Sequence, residues 1–200
     1  MFKTRTLAPI NVKLATGAIL AAVGVVLSYL NPFAYVLIFN AKINPFAHFI
    51  NAIAGVLLGP WYALGIATSI AIIRFATGIG SILAFPGGMS GAIIVGLARE
   101  ILLRVRPQKV NLAAFAEPLG TVFIGATIAQ FIIPAAFGTY WWLFALSCIP
   151  GCAFGWVILK ILDQTGVSAT FLPLKTMRSC ESPETPEPTN SYLQKKSTSP

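Results

Sequence analysis

The sequence predicts an all-α membrane protein of six transmembrane helices with both termini cytoplasmic, and three observations predict it. Of the 200 residues, 56% are hydrophobic and only 10% charged, against about 25% charged in a soluble domain, so most of the surface cannot face water. Residues 14–41, 43–73, 75–98 and 118–159 carry no charge at all; one crossing needs about 20 apolar residues, so these stretches hold more than four crossings. The Lys and Arg side chains gather at the ends of the apolar segments, where they set orientation. The 14-to-6 excess of basic over acidic residues is thus explained by the membrane, and nucleic acid is not an expected partner, because no single solvated basic face exists.

The first span covers residues 12–30. Lys3, Arg5 and Lys13 precede it as in a signal peptide, but no A-x-A-like cleavage site leads into a soluble domain, so a retained span is expected. Asn31 and Pro32 end it, because the residue before a proline is driven out of helical geometry. Residues 33–45 join an apolar run to Asn40, Lys42 and Asn44. They are too short to cross and too apolar for a solvated loop, so a re-entrant or capping loop is expected. The second span, 46–58, and the third, 61–76, flank a turn forced by Gly59 and Pro60. At 1.5 Å per residue the second reaches only about 20 Å across a core of about 30 Å. Such shortness requires non-helical backbone at membrane depth, covered by protein or lining a cavity. The uncharged Gly-rich residues 77–88 form a second loop of this kind.

The fourth span, 89–103, precedes a basic loop with Arg104, Arg106 and Lys109. The fifth, 117–133, stops at Pro134 and Gly138, and the sixth covers 140–163, with Pro150 and Gly151 expected to kink it. Residues 164–200 are Pro-, Ser- and Thr-rich and are expected to be a disordered cytoplasmic tail. Six crossings with a cytoplasmic N-terminus put Lys3, Arg5, Lys13, Arg99, Arg104, Arg106, Lys109 and Lys160 inside and leave Lys42 as the outside loop charge.

This inventory excludes several chemistries. No Walker A pattern is present, so ATP is not hydrolysed through a P-loop of this chain. With one His, and Asp163 as the only Asp, metal sites and paired-carboxylate catalysis are poorly supplied; no enzyme activity, metal or cofactor is expected. Cys148 and Cys152 lie one helical turn apart, a packing arrangement, and Cys180 makes the count odd, against a disulfide framework.

The polar residues within the apolar body converge near the outer boundary: Asn44, His48, Asn51, Arg74, Thr77, Ser81, Ser90, Gln130, and the run Tyr140, Trp141, Trp142. Polar side chains at membrane depth cost several kcal/mol without partners, so the layer is a candidate ligand cavity, the alternative being interhelical glue. His48 and Asn51, three apart, share a helix face. Arg74 reads either as an anion ligand or as a structural cation bonded to loop carbonyls. The aromatic run reads either as an interfacial belt or as a ligand platform. Glu100 and Glu117, both toward cytoplasmic span ends, are expected to pair with Arg99 and the basic loop. Ala15, Ala18 and Ala22 line one face of the first span, beside Gly17 and Ala21, and permit close helix approach, internally or to another membrane protein. Gly88, Ala92 and Gly96 repeat the pattern in the fourth span.

His48 and Asn51 with the blocks AGVLLGPWYAL (54–64) and LAFPGGM (83–89) and the intervening Arg74 closely resemble the ThiW family. The specific match covers about residues 45–96, and the six-span plan covers 12–163. The resemblance implies a substrate-binding S component of an energy-coupling factor (ECF) transporter, with an S-component-like bundle in a prokaryotic plasma membrane. Its cargo would be the thiamine precursor hydroxyethylthiazole, held in an outward-facing pocket closed by the loops after the first and third spans. The implied partners are an EcfT-like membrane coupling protein and two ABC-type ATPases, with Ala15, Ala18 and Ala22 as the docking face. A small neutral thiazole needs an aromatic plate and two hydrogen-bonding groups. Trp141 or Trp142 with Phe85 is expected to supply the plate, and His48 and Asn51 the bonds; Gln130 and Tyr140 complete the candidate set, and Arg74 leaves room for a phosphorylated or carboxylated ligand. Rival readings are an S component for thiamine, its pyrimidine precursor or another small vitamin, a lipid enzyme with His48 as base, and a helical scaffold.

Overall fold

The computed structural model describes residues 8–32 and 41–172. Lys3, Arg5, residues 33–40 of the expected re-entrant loop, and the tail beyond Leu172 with Cys180 lie outside that description. Among the described residues the regular structure is helical. Three helices, Ile10–Leu30, Pro107–Ile132 and Thr139–Gln164, are long and apolar enough to cross a membrane, while Pro45–Leu58 and Pro60–Ala76 are shorter apolar helices.

The first helix, α1 (Ile10–Leu30), buries only Gly17, Gly24 and Ser28 and leaves Leu14, Ile19, Val26 and Leu30 exposed. An outer surface of this composition suits lipid, which accepts apolar side chains that water would not. Next, α2 (Pro45–Leu58) is the reverse: every residue from Ile50 to Leu58 is buried, because α1 and the helices Pro60–Ala76, Ala84–Val105 and Thr139–Gln164 all pack around it. A helix of 14 residues is shorter than a span needs, and its sheath of neighbours keeps its ends out of lipid. Gly59 alone separates α2 from α3 (Pro60–Ala76). It does so at φ 92°, a conformation that only glycine adopts without strain, and Pro60 then opens α3 at the position where its missing N–H costs nothing.

Residues 77–88 were expected to be loop, yet α4 (Ala84–Val105) already includes Phe85, Gly87 and Gly88 in its first turn and a half. The turn proper is confined to 77–83. The helical segment expected to be the fifth span departs further from expectation. It begins near Pro107 rather than Glu117, with tight 3₁₀ turns over Pro107–Ala116 and wide π turns over Leu119–Gly125, and is α-helical only in α5 (Ala126–Ile132). Pro118 offers no N–H to continue the ladder, and Gly125 lies so close to α4 that a Cβ there would meet the Pro86 carbonyl at 2.8 Å.

The longest helix, α6 (Thr139–Gln164), runs through Pro150 without a break and packs along α2. Gly151 makes that approach possible, since a Cβ there would come within 2.8 Å of His48 Cβ. Residues 165–172, expected to belong to the disordered tail, instead form a turn and α7 (Ser168–Phe171). Phe171 and Leu172 are apolar enough to be buried, and the Ala8 N–H donates to the Thr170 carbonyl at 3.0 Å, tying the two ends of the described chain together.

Candidate functional site

A cavity of about 640 Å³, counted out to its open mouth, lies between α2, α3, the start of α4 and α6. Its floor is built by α2. Asn44, just before the helix, donates its side-chain amide to Ser28 Oγ (2.7 Å), Ser28 passes the bond on to the Gly24 carbonyl (2.7 Å), and the Asn44 N–H donates to Ser147 Oγ (3.0 Å). Asn31 secures the same strand of chain by donating to the Ile43 carbonyl (2.7 Å). This buried net fixes the entry to α2 against both α1 and α6. Ser28, Asn31 and Ser147 were not singled out in the sequence, where isolated serines and an Asn-Pro pair look like helix punctuation.

One turn into α2, His48 lines the cavity and presents Nδ1 to Glu117 Oε1 at 2.5 Å. Glu117 is wholly buried. It accepts a second bond at Oε1 from Thr121 Oγ1 (2.7 Å), and the Cys152 thiol lies 3.5 Å from Oε2. The expected pairing of Glu117 with Arg99 and the basic loop is therefore corrected. The helical segment containing Glu117 starts about ten residues earlier than the charge pattern indicates, so the carboxylate lies inside the bundle, where buried charge persists only if fully bonded. Space for it comes from Gly91 on α4, whose missing side chain leaves the position that Glu117 Oε1 and Thr121 Oγ1 occupy. A carboxylate at Nδ1 holds the proton on that nitrogen and turns Nε2 away from it.

Asn51, a turn further along, donates its amide to the Gly88 carbonyl at 3.0 Å. Because that partner is an acceptor, the amide orientation is fixed by chemistry and Oδ1 is left as the acceptor end. Arg74 enters from the last turn of α3 and is only 5% exposed, with a buried Nε that has no hydrogen-bond partner. The 77–83 turn folds back onto it: the Gly80 N–H donates to the Arg74 carbonyl at 2.8 Å. Lys42, read from sequence as an outer loop charge, also lines the cavity and donates to the Gly78 carbonyl of the same turn at 2.6 Å.

The structure thus brings His48, Asn51 and Arg74 to one cavity and leaves the other candidates around it. Phe85 stacks edge-on against Phe75 at 6.0 Å, outside the lining. Gln130 spends its amide on the Ala135 carbonyl (2.6 Å), closing the reversal before α6. Tyr140 is fully buried behind Phe144, at 6.2 Å between rings, and its hydroxyl has no partner. Trp141 packs against Phe137 at 5.6 Å, and Trp142, 79% exposed, faces outward. The aromatic ring that does line the cavity is Phe144, one helical turn after Trp141. Nothing in the sequence sets it apart from the other phenylalanines.

Among the described residues no group of three or more His, Cys, Asp or Glu is arranged to hold a metal ion. A family model described as thiamine-precursor transporter protein (ThiW) matches residues 14–165, a range that contains every cavity residue. No curated protein and no solved structure matches the chain.

Proposed function

Since the chain belongs to the ThiW family of thiamine-precursor transporter proteins, and so is a multi-pass membrane protein, we propose that it is the S component of an ECF transporter. In this reading it captures hydroxyethylthiazole on the outer side of a prokaryotic plasma membrane. An EcfT-like coupling protein and two ABC-type ATPases supply the energy for uptake. The observation that carries the reading is the single cavity in which His48 and Asn51, on one face of α2, meet Phe144 of α6. Phe144 is the plate for the ring. His48 Nε2 and Asn51 Oδ1 are two directed hydrogen-bonding ends, both able to accept from the ligand hydroxyl.

Six crossings with cytoplasmic termini accompany this reading, supported by the basic residues Lys13, Arg99, Arg104, Arg106, Lys109 and Lys160. Docking to the coupling protein falls to Ala15, Ala18 and Ala22. All three are exposed on α1 while Gly17, Gly24 and Ser28 turn inward, so the small-residue face is open to another helix. The test is calorimetric titration of the purified protein with hydroxyethylthiazole. Saturable binding is expected, and no heat at millimolar ligand overturns the cargo. Growth rescue of a thiazole-requiring strain, dependent on an intact ATPase partner, tests the ECF coupling.

A further inference from the structure

The charges around the cavity do not balance, and the imbalance identifies a ligand chemistry. Arg74 and Lys42 both line it, and no carboxylate does. None is available from the adjoining chain either: the sequence contains no Asp or Glu before Glu100, and this holds for residues 33–40 as for the rest. Among the described residues the acids beyond are committed. Glu100 pairs with Arg99, Glu117 with His48, and Asp163 accepts from Ser168 at 2.8 Å. Glu117 is taken up by His48, Thr121 and Cys152 and does not line the cavity, so Arg74 and Lys42 face it with no carboxylate in the lining. Arg74 is 5% exposed and its Nε has no partner. A guanidinium withdrawn from water without a counter-charge is a costly arrangement that structure alone does not compensate.

We infer that the cavity takes an anionic ligand, a phosphate monoester of the thiazole alcohol in preference to the free alcohol, with Arg74 and Lys42 as the phosphate ligands. The inference rests on the thiazole reading above and narrows it. A phosphate monoester carries about −1.5 to −2 charge at neutral pH, which matches two cations. The planar fork of a guanidinium meets two phosphate oxygens at once, and an ammonium on a flexible stem meets a third. Both residues are tied to one turn, Lys42 by its ammonium at the Gly78 carbonyl and Arg74 by its backbone carbonyl at the Gly80 N–H. The phosphate would therefore sit under residues 77–83, while the ring reaches Phe144 and His48.

The experiment is titration of the purified full-length protein, in detergent, with hydroxyethylthiazole, its phosphate monoester, and inorganic phosphate alone. The ester is expected to bind at least tenfold more tightly than the alcohol, about 1.4 kcal/mol, and inorganic phosphate far more weakly than the ester. In Arg74→Gln and in Lys42→Gln the ratio of ester to alcohol affinity should fall at least threefold, whereas Arg99→Gln, remote from the cavity, should leave it unchanged. If Arg74→Gln does not yield folded protein, the Lys42→Gln ratio decides. Alcohol binding as tightly as ester overturns this inference alone, as does an ester preference that survives both substitutions. Inorganic phosphate binding as tightly as the ester reduces the site to a plain anion site and overturns the ester assignment. Binding of neither thiazole compound overturns the thiazole reading and this inference with it.

Discussion

Two arginines are buried in this bundle to nearly the same extent, Arg74 at 5% and Arg99 at 8% exposure, and they are treated in opposite ways. Arg99, on α4 beside the turn between α2 and α3, donates Nε to the Val56 carbonyl at 2.8 Å and is paired with Glu100. It thereby caps the end of α2, whose last carbonyls have no partner within the helix. Arg74, at the other end of α3, finds a cavity instead of a carbonyl and a carboxylate. The difference teaches that burial of a charge does not by itself mark function. A buried charge with its partners present is part of the scaffold, and one whose partners are missing is addressed to something that arrives later. His48 and Glu117 combine the two cases: the carboxylate is fully answered, and it holds an imidazole whose other nitrogen is not.

The largest expected effect comes from breaking an answered charge at its deepest point. Glu117→Ala removes the acceptor of His48, Thr121 and Cys152 at once and opens a void against Gly91. Breaking a buried pair costs about 3–5 kcal/mol, so the variant should melt far below the native protein in a detergent thermal scan or fail to accumulate in the membrane. Glu117→Gln keeps an acceptor for the His48 Nδ1–H and should lose less. Equal melting of Glu117→Ala and native protein would show that the carboxylate is not holding the bundle together.

The two arginines give the next largest difference, and it is a difference of kind. Arg99→Gln should lower stability by about 1.5–3 kcal/mol, the range for a hydrogen bond involving a charged group. Arg74→Gln removes a buried charge with no partner, so the ligand-free protein should melt no lower than the native one. Parallel thermal scans without ligand check this directly. A drop for Arg74→Gln as large as that for Arg99→Gln would mean that Arg74 is scaffold after all.

Asn51 lies between these cases, because its amide serves the fold through Gly88 while the residue also lines the cavity. Asn51→Ala should weaken thiazole binding about tenfold, about 1.4 kcal/mol, the value of one buried hydrogen bond. Unchanged affinity by calorimetry would remove Asn51 from the site.

The contrast between answered and unanswered charges also explains what was legible in the sequence. Hydropathy set out the helices well, since the limits of α1, α2, α3 and α6 depend on local signals such as Asn31 with Pro32 and Gly59 with Pro60. It failed where tertiary contact overrides local pattern. The charges of the basic loop drew the expected start of the fifth span to Glu117, although the helical segment begins near Pro107. Glu117 was then assigned to the nearest cations along the chain, when its partner is His48, 69 residues away in sequence. His48, Asn51 and Arg74 were legible because polar groups are rare in so apolar a chain. Phe144 was not, because one more phenylalanine carries no signal in a body made of apolar side chains, and neither hydropathy nor spacing tells which ring faces a cavity and which faces lipid.

Tyr140 provides the smallest effect and the finest test of that boundary. Its hydroxyl is buried without a partner, and its ring stands behind Phe144 rather than in the cavity lining. An unpaired buried hydroxyl is unfavourable, so removing it should be neutral or stabilising by up to about 1 kcal/mol. Tyr140→Phe keeps the ring and its contact with Phe144, so thiazole affinity should stay within about twofold. A tenfold loss of affinity with unchanged melting would show that the hydroxyl reaches the ligand once the site is filled. Tyr140 would then be the counterpart of Arg74, a buried polar group left open for the same arriving molecule.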